Sequence, residues 1–233
     1  MALYRDEAVV LRTHKLGEAD RIVVLMTAGR GKVRAVAKGV RKTKSRFGGR
    51  LEPPTHVSLQ LYEGRQLDVI TQADTLDHYR PVREDLDRMT DAMAVVEVVD
   101  QVAQEGEPNR ALYRMTTGAL GVLAEAPARP PLLVGSFYWK LLALDGVAPV
   151  LDACARCGAA GLVGFDLLEG GALCREHRQG QPVEPPTLAL VGRILGGDLA
   201  GALAEPAGPA TAAAAALATA SMEAHLERRL RTV

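Results

Sequence analysis

The chain has 233 residues, 48% hydrophobic and 24% charged, with 28 Lys and Arg balanced by 28 Asp and Glu. That composition excludes a disordered or fibrous chain, and no stretch offers the roughly 20 apolar residues of a membrane-spanning helix. The zero net charge conceals a division: residues 1–80 carry fifteen Lys and Arg against nine Asp and Glu, a surplus of +6, and the remainder carries thirteen against nineteen, a matching −6.

Such a length exceeds what one small core holds, so two or three units are expected. Three cysteines, an odd number, argue against a disulfide framework and fit a reducing compartment. The start, MALYRDEAVV, places acids where a signal peptide needs a cationic start and an apolar core, so a cytoplasmic protein is expected.

In chain order, Asp6 to Thr13 is short, β-branched and bounded by Lys15-Leu16-Gly17, which predicts a strand; Arg21 to Thr27 predicts a second. Gly29-Arg30-Gly31 turns the chain into Lys32 to Lys38, where Val33, Ala35 and Ala37 alternate with Lys32, Arg34, Val36 and Lys38, a third strand with a largely cationic face. Gly39 to Pro54 mixes Gly, Ser, Thr and Pro with charges and reads as a long loop. Alternation resumes at Val57, Leu59 and Leu61 and at Leu67, Val69 and Thr71, with Glu63-Gly64-Arg65 as the hairpin turn. Five short strands in about eighty residues suit a small OB-type barrel, which binds nucleic-acid strands; an SH3-like barrel suits the count nearly as well.

The stretch from Gly29 to Pro53 carries Arg30, Lys32, Arg34, Lys38, Arg41, Lys42, Lys44, Arg46 and Arg50, with no acid until Glu52. Cations without local partners create a positive potential that suits a polyphosphate, so these nine are the candidate nucleic-acid contacts. A solvated loop kept soluble by its charges is the competing reading. Aromatics are few before residue 80, namely Tyr4, Phe47, Tyr62 and Tyr79, so electrostatics rather than base stacking should lead. Phe47 is either a stacking platform or a loop anchor.

After Pro81 the period becomes helical. Leu86, Met89, Met93, Val96 and Val99 mark a helix over Asp85 to Gln104, and Asn109 is a candidate N-cap for a second that stops before Pro127. A third is expected over Pro131 to Leu144, where Phe137, Tyr138 and Trp139 read as core because adjacent residues face different ways. Helical pattern returns at Leu188 to Leu195 and over the alanine-rich Pro209 to Arg231.

Between the helices stand Cys154-Ala155-Arg156-Cys157-Gly158 and Cys174-Arg175-Glu176-His177. Two pairs of metal-ligand residues, each with two residues between its members, offer the four donors of a closed tetrahedral zinc site. Leu162 to Leu173, broken at Glu169-Gly170-Gly171, could form a hairpin that brings the second pair over the first. With all four positions taken by Cys154, Cys157, Cys174 and His177, one Zn2+ per chain would be structural rather than catalytic. A Cys154/Cys157 redox pair or three unrelated thiols are the alternatives.

Gly17-Glu18-Ala19-Asp20, Leu25-Met26-Thr27, Gly31-Lys32, Ala37-Lys38-Gly39-Val40-Arg41, Ser45-Arg46 and Leu51-Glu52-Pro53 together closely resemble the bacterial recombination and repair family RecO. The resemblance spans essentially the whole chain and is most specific in residues 15–53. It implies an α+β, multidomain protein with an N-terminal OB-type β-barrel, a helical domain and an inserted zinc-binding module. Mapped onto this chain, the expected parts are residues 1–80 for the barrel, 81–150 and 181–233 for the helical domain and 151–180 for the zinc module. The resemblance also implies a nucleoid-associated mediator that binds single- and double-stranded DNA, anneals complementary strands, joins RecR, and acts on strands coated by single-strand-binding protein so that RecA can load. Family members commonly present four cysteines in the metal module; here His177 takes the fourth place.

A non-enzymatic DNA-binding and annealing protein is therefore the leading expectation. The rivals are a metal-dependent nuclease or zinc hydrolase, and an RNA-binding or ribosome-associated OB module. Against an enzyme, the chain lacks a Gly-rich phosphate loop followed by Lys and Ser/Thr, and the acids nearest the basic stretch, Asp6, Glu7, Glu18 and Asp20, read as ordinary strand and turn surface.

Overall fold

The structure, a computed structural model, describes residues 2–232. By their internal contacts these fall into two compact units, one reaching to Pro127 and one spanning Ala128–Arg231.

In the first unit, β1 (Leu3–Leu16), β2 (Asp20–Thr27), β3 (Gly31–Ala37), β4 (His56–Tyr62) and β5 (Asp68–Asp77) close into a barrel in the order β1-β2-β3-β5-β4. Strand β1 closes it by serving two neighbours: Leu3 to Val9 pair with β4, while Ala8 to Leu16 pair with β2. An irregularity between Val10 and Arg12 bends the strand between these tasks, as bulges do where barrels turn corners. The remaining seam is the short parallel pairing of Ala35 and Val36 with Asp68 and Val69. This topology is that of the OB barrel and not of the SH3-like alternative.

Alternation decides what faces inward. Val10, Val23, Leu25, Ala35, Leu59 and Ile70 are among the interior residues, and the two alanines of β3 keep the inside of that strand small. Runs such as Ala8-Val9-Val10-Leu11 and Val23-Val24-Leu25-Met26 are continuous rather than alternating because both faces are buried; Val9, Leu11, Val24 and Met26 lie outside the barrel lumen yet are covered. Helix α2 (Leu86–Val102) packs on β1 and β2. Its N-cap is Asp85, whose side chain accepts from the Asp87 and Arg88 amides. Helix α3 (Arg110–Glu125) is capped by Asn109 through the Leu112 amide, as its sequence predicts. Between β5 and α2 runs one turn of helix, α1 (Arg80–Arg83), that the sequence reading misses; Pro81 sits at its start, where a missing N–H costs nothing.

The second unit holds α4 (Leu133–Leu144), β6 (Leu162–Asp166), β7 (Gly171–Cys174), β8 (Gln181–Pro182), α5 (Pro185–Gly196), α6 (Leu199–Leu203) and α7 (Pro209–His225). Helix α4 is apolar nearly all round and is buried between α5 and α7: Phe137, Tyr138 and Trp139 are all core, and the Trp139 indole donates to the Ala214 carbonyl at 3.2 Å. The alanines of α7 allow close approach, with Gly135 seated against Ala215. Helix α7 ends at His225 rather than running on to Arg231. Glu227 takes a left-handed φ of 52° and the chain turns back, which buries Leu230; sequence periodicity does not register that gain. No helix among the described residues is long and apolar enough to cross a membrane.

Candidate nucleic-acid interface and metal centre

The chain between β3 and β4, residues 38–55, is a succession of turns without strand or helix, yet it is not a free arm. Gly39 opens it with φ 68°, a conformation that favours glycine, and its N–H donates to the Asp20 carboxylate at 2.7 Å. The Arg41 amide donates to the Ala19 carbonyl at 2.9 Å, and the Arg41 guanidinium reaches Gly17 O at 3.3 Å, so the β1–β2 turn and this loop form one end of the barrel. In the middle, Phe47 and Leu51, 1% and 2% exposed, insert into the barrel core. Glu52 closes an ion pair with Arg21 on β2. Phe47 is thus the anchor; its ring is covered, with the Arg46 guanidinium 4.8 Å from its centroid, and it offers no face to a base.

The nine candidate cations divide into two sets. Lys38, Arg41, Lys42, Lys44, Arg46 and Arg50 are exposed on this loop, and among the described residues none of them makes an ion pair. Arg50 instead donates to Arg46 O at 2.8 Å, which stiffens the tip. The other three lie near the opposite end of β3 and are paired. Arg30 stacks over Tyr4, 3.8 Å from the ring centroid, and lies 3.6 Å from Glu63. Arg34 stands 3.8 Å from Glu105. Lys32, 16% exposed, donates to the Asp100 carbonyl at 2.8 Å and lies 3.9 Å from that residue's carboxylate, itself 7% exposed. The cationic face expected along β3 is therefore largely neutralised by α2 and the segment after it, and the unpaired charge is concentrated in the loop.

The two Cys/His pairs meet as the spacing predicts. Hairpin β6–β7 pairs Leu162 with Cys174, and the Ala155 amide donates to Ala172 O at 2.8 Å, which lays the first pair against β7. Each pair sits on a tight turn: Gly158 N donates to Cys154 O at 2.8 Å, made possible by the Gly158 φ of 74°, and His177 N donates to Cys174 O at 3.2 Å. Leu162, Leu173 and Ala155 pack against the buried Cys154 and Cys174.

The four donor atoms lie within 4.8 Å of one another. Cys157 Sγ and Cys174 Sγ are 3.8 Å apart, and His177 Nδ1 is 3.7 Å from Cys154 Sγ and 3.5 Å from Cys174 Sγ. Bonds of about 2.3 Å to sulfur and about 2.0–2.1 Å to nitrogen, set at tetrahedral angles, give edges of about 3.8 Å and about 3.5 Å. The donor set thus fits a metal ion and is of the kind zinc takes. Burial raises the Cys154 thiol, but main-chain hydrogen bonds from Cys174, Arg156 and Cys157 outweigh it and bring the thiol down to about 6, favouring the thiolate that metals bind.

The N-terminal profile of recombination protein O matches residues 1–79 and the C-terminal profile matches residues 83–233. The chain belongs to the recombination protein O family. A relative from Nocardioides sp. strain JS614, named DNA repair protein RecO, is 46% identical over 241 aligned positions, covering 99% of this chain and 98% of that protein.

Two residues of this RecO-family chain escape a linear reading of the basic stretch. Lys15, exposed at the end of β1, is carried by the pairing of Lys15 with Arg21 and of Arg21 with Ala37 to the same barrel end as Lys38 and Arg41. Arg83 reaches the loop from α1. Three of the four acids weighed as candidate catalysts have other partners: Asp6 accepts from the Gly29 amide at 3.2 Å, Asp20 from Gly39, and Glu7 from the Tyr113 hydroxyl at 3.3 Å.

Proposed function

We propose that this RecO-family protein is a non-enzymatic mediator of DNA repair and homologous recombination. In this reading it binds single- and double-stranded DNA, anneals complementary strands, and helps RecA load on strands coated by single-strand-binding protein, with RecR as its partner. The observation that carries the reading is the anchored loop on an OB barrel, with Lys38, Arg41, Lys42, Lys44, Arg46 and Arg50 exposed and, among the described residues, without ion pairs. Annealing needs no bond chemistry. Cations that neutralise phosphate repulsion let two strands approach, and because they touch only the backbone they leave base edges free to pair.

In the same reading Cys154, Cys157, Cys174 and His177 hold one structural zinc, which supplies folding free energy to the hairpin module and has no open position for water. The division into a barrel over residues 1–80, a helical domain over 81–150 and 181–233 and a module over 151–180, and a cytoplasmic, nucleoid-associated location, belong to this proposal too.

An annealing assay with complementary oligonucleotides in the absence of ATP, with and without single-strand-binding protein, tests it. Acceleration over the spontaneous rate that persists on coated strands supports the reading; no acceleration overturns it. Matched RNA strands in the same buffer separate it from an RNA-binding module, which would prefer them.

A further inference from the structure

The loop that carries the unpaired cations returns to the barrel through Glu52-Pro53-Pro54-Thr55. Two consecutive prolines remove two main-chain donors, so this exit depends on donors from outside. Val10 N donates to Thr55 O at 2.9 Å and Thr55 N turns back to Glu52 O at 3.1 Å; the remaining donors come from one side chain. Arg83 Nη2 donates to Glu52 O at 3.1 Å, Pro53 O at 3.3 Å and Thr55 Oγ1 at 2.7 Å, while its Nε donates to His78 O at 2.9 Å. The planar guanidinium is suited to this, since it presents several donors in a fixed fork. Burial lowers the pKa of Arg83, with Glu52 opposing, so the side chain has given up water for these bonds.

We infer that Arg83 is a positioning residue for DNA binding: it clamps the exit of the loop as Asp20 holds its entrance, so that Arg41, Lys42, Lys44 and Arg46 are ordered before a strand arrives. The inference rests on the nucleic-acid reading of that loop. Phe47, Leu51 and the Arg21–Glu52 pair still hold the loop when Arg83 is lost, but its exit is loosened, and whatever order is lost there must be restored by each strand, a cost that comes out of the affinity. Arg83 touches no phosphate in this arrangement. Its loss lowers affinity without changing how many cations meet the strand once it is bound.

The test uses Arg83→Ala and Arg83→Lys in the full chain. Trypsin reads loop order directly, because Arg41, Lys42, Lys44, Arg46 and Arg50 are all cleavage sites. Arg83→Ala should be cut in this segment about tenfold faster than wild type, with cleavage at Arg110 and Arg114 unchanged. Arg83→Lys, which keeps one charged donor but not the fork, should fall between. On single-stranded oligonucleotides, affinity plotted against salt should give lines of equal slope, displaced by about tenfold toward weaker binding. Wild-type cleavage rates in both variants overturn the inference. So does a flattened slope, which would make Arg83 a phosphate contact. If wild type shows no salt-dependent binding, the nucleic-acid reading fails, and cleavage alone still decides whether Arg83 orders the loop. Should the alanine variant not fold, the lysine variant is read by the same two criteria.

Discussion

The Cys157 and Cys174 sulfurs stand 3.8 Å apart, far beyond the roughly 2.05 Å of a disulfide and equal to the edge that two zinc–sulfur bonds make. Freshly purified protein should therefore contain about one zinc per chain by elemental analysis. Cys174→Ser should release it and unfold the β6–β7 module, since the metal supplies folding free energy, while DNA affinity changes little. Protein without metal in the purified state would reject the site.

Replacing Arg41, Lys42, Lys44 and Arg46 together by Ala removes four of the six unpaired loop cations. Each phosphate contact contributes about 0.7 to the logarithmic salt slope on single strands and about 0.9 on duplex, so the slope should fall by up to about 2.8 and 3.6 respectively. Binding should weaken alike for all sequences and annealing should slow. The thermal midpoint should hardly move, because exposed charges add little to folding. Affinity titrations at several salt concentrations check this, and unchanged slopes would mean that the loop is merely solvated.

Lys32 belongs to the same basic stretch but behaves differently. Its amine is directed at Asp100 in a nearly closed contact, and although the Asp100 carboxylate keeps Arg12 at 3.2 Å, Lys32→Ala should cost stability, about 1.5–3 kcal/mol for the lost hydrogen bond from a charged donor to the Asp100 carbonyl, and leave the salt slope as in wild type. Denaturant melts paired with binding titrations separate the two effects. A slope that falls as it does for a loop cation would place Lys32 on the strand.

Phe47→Ala should destabilise the barrel by about 3–5 kcal/mol, the usual cost of emptying a core phenylalanine site. Because the ring is covered, any loss of DNA affinity should be equal for single strands and duplex and should follow from the loosened loop. A loss confined to single strands would mean that the ring leaves the core to stack on a base.

His56 is half-buried, with its Nε2 2.7 Å from the Tyr113 hydroxyl, and burial lowers its pKa below the ordinary 6.5 against the pull of Glu7 and Asp77. The folded state favours the neutral ring. Its contribution to stability is complete above pH 6.5 and is lost as the pH falls through the lower folded value. Thermal melts at pH 7.5 and 5.5 should show a larger acid-induced drop for wild type than for His56→Gln, which cannot titrate. Equal drops would show that His56 does not set this dependence.

The barrel strands, the main helices and the four candidate metal donors are all legible from local pattern. Alternation in Lys32 to Ala37, the Asn109 cap and the repeated two-residue spacing of Cys154/Cys157 and Cys174/His177 each reflect constraints that act within a few residues of chain. Even the core role of Phe137, Tyr138 and Trp139 follows from their adjacency, because three successive helical side chains point in three directions. Tertiary structure alone decides which cations of residues 30–50 are unpaired. Asp100 and Glu105 neutralise Lys32 and Arg34 from some 70 residues downstream, and Lys15 joins the loop through strand pairing. The same holds for Phe47, whose neighbours in sequence suggest an exposed tip, and for Arg83, whose acceptors lie about 30 residues away. A charge is visible in a sequence, but whether it is satisfied depends on what the fold brings within a few ångströms, and Coulomb and hydrogen-bond energies fall off over that distance and not along the chain.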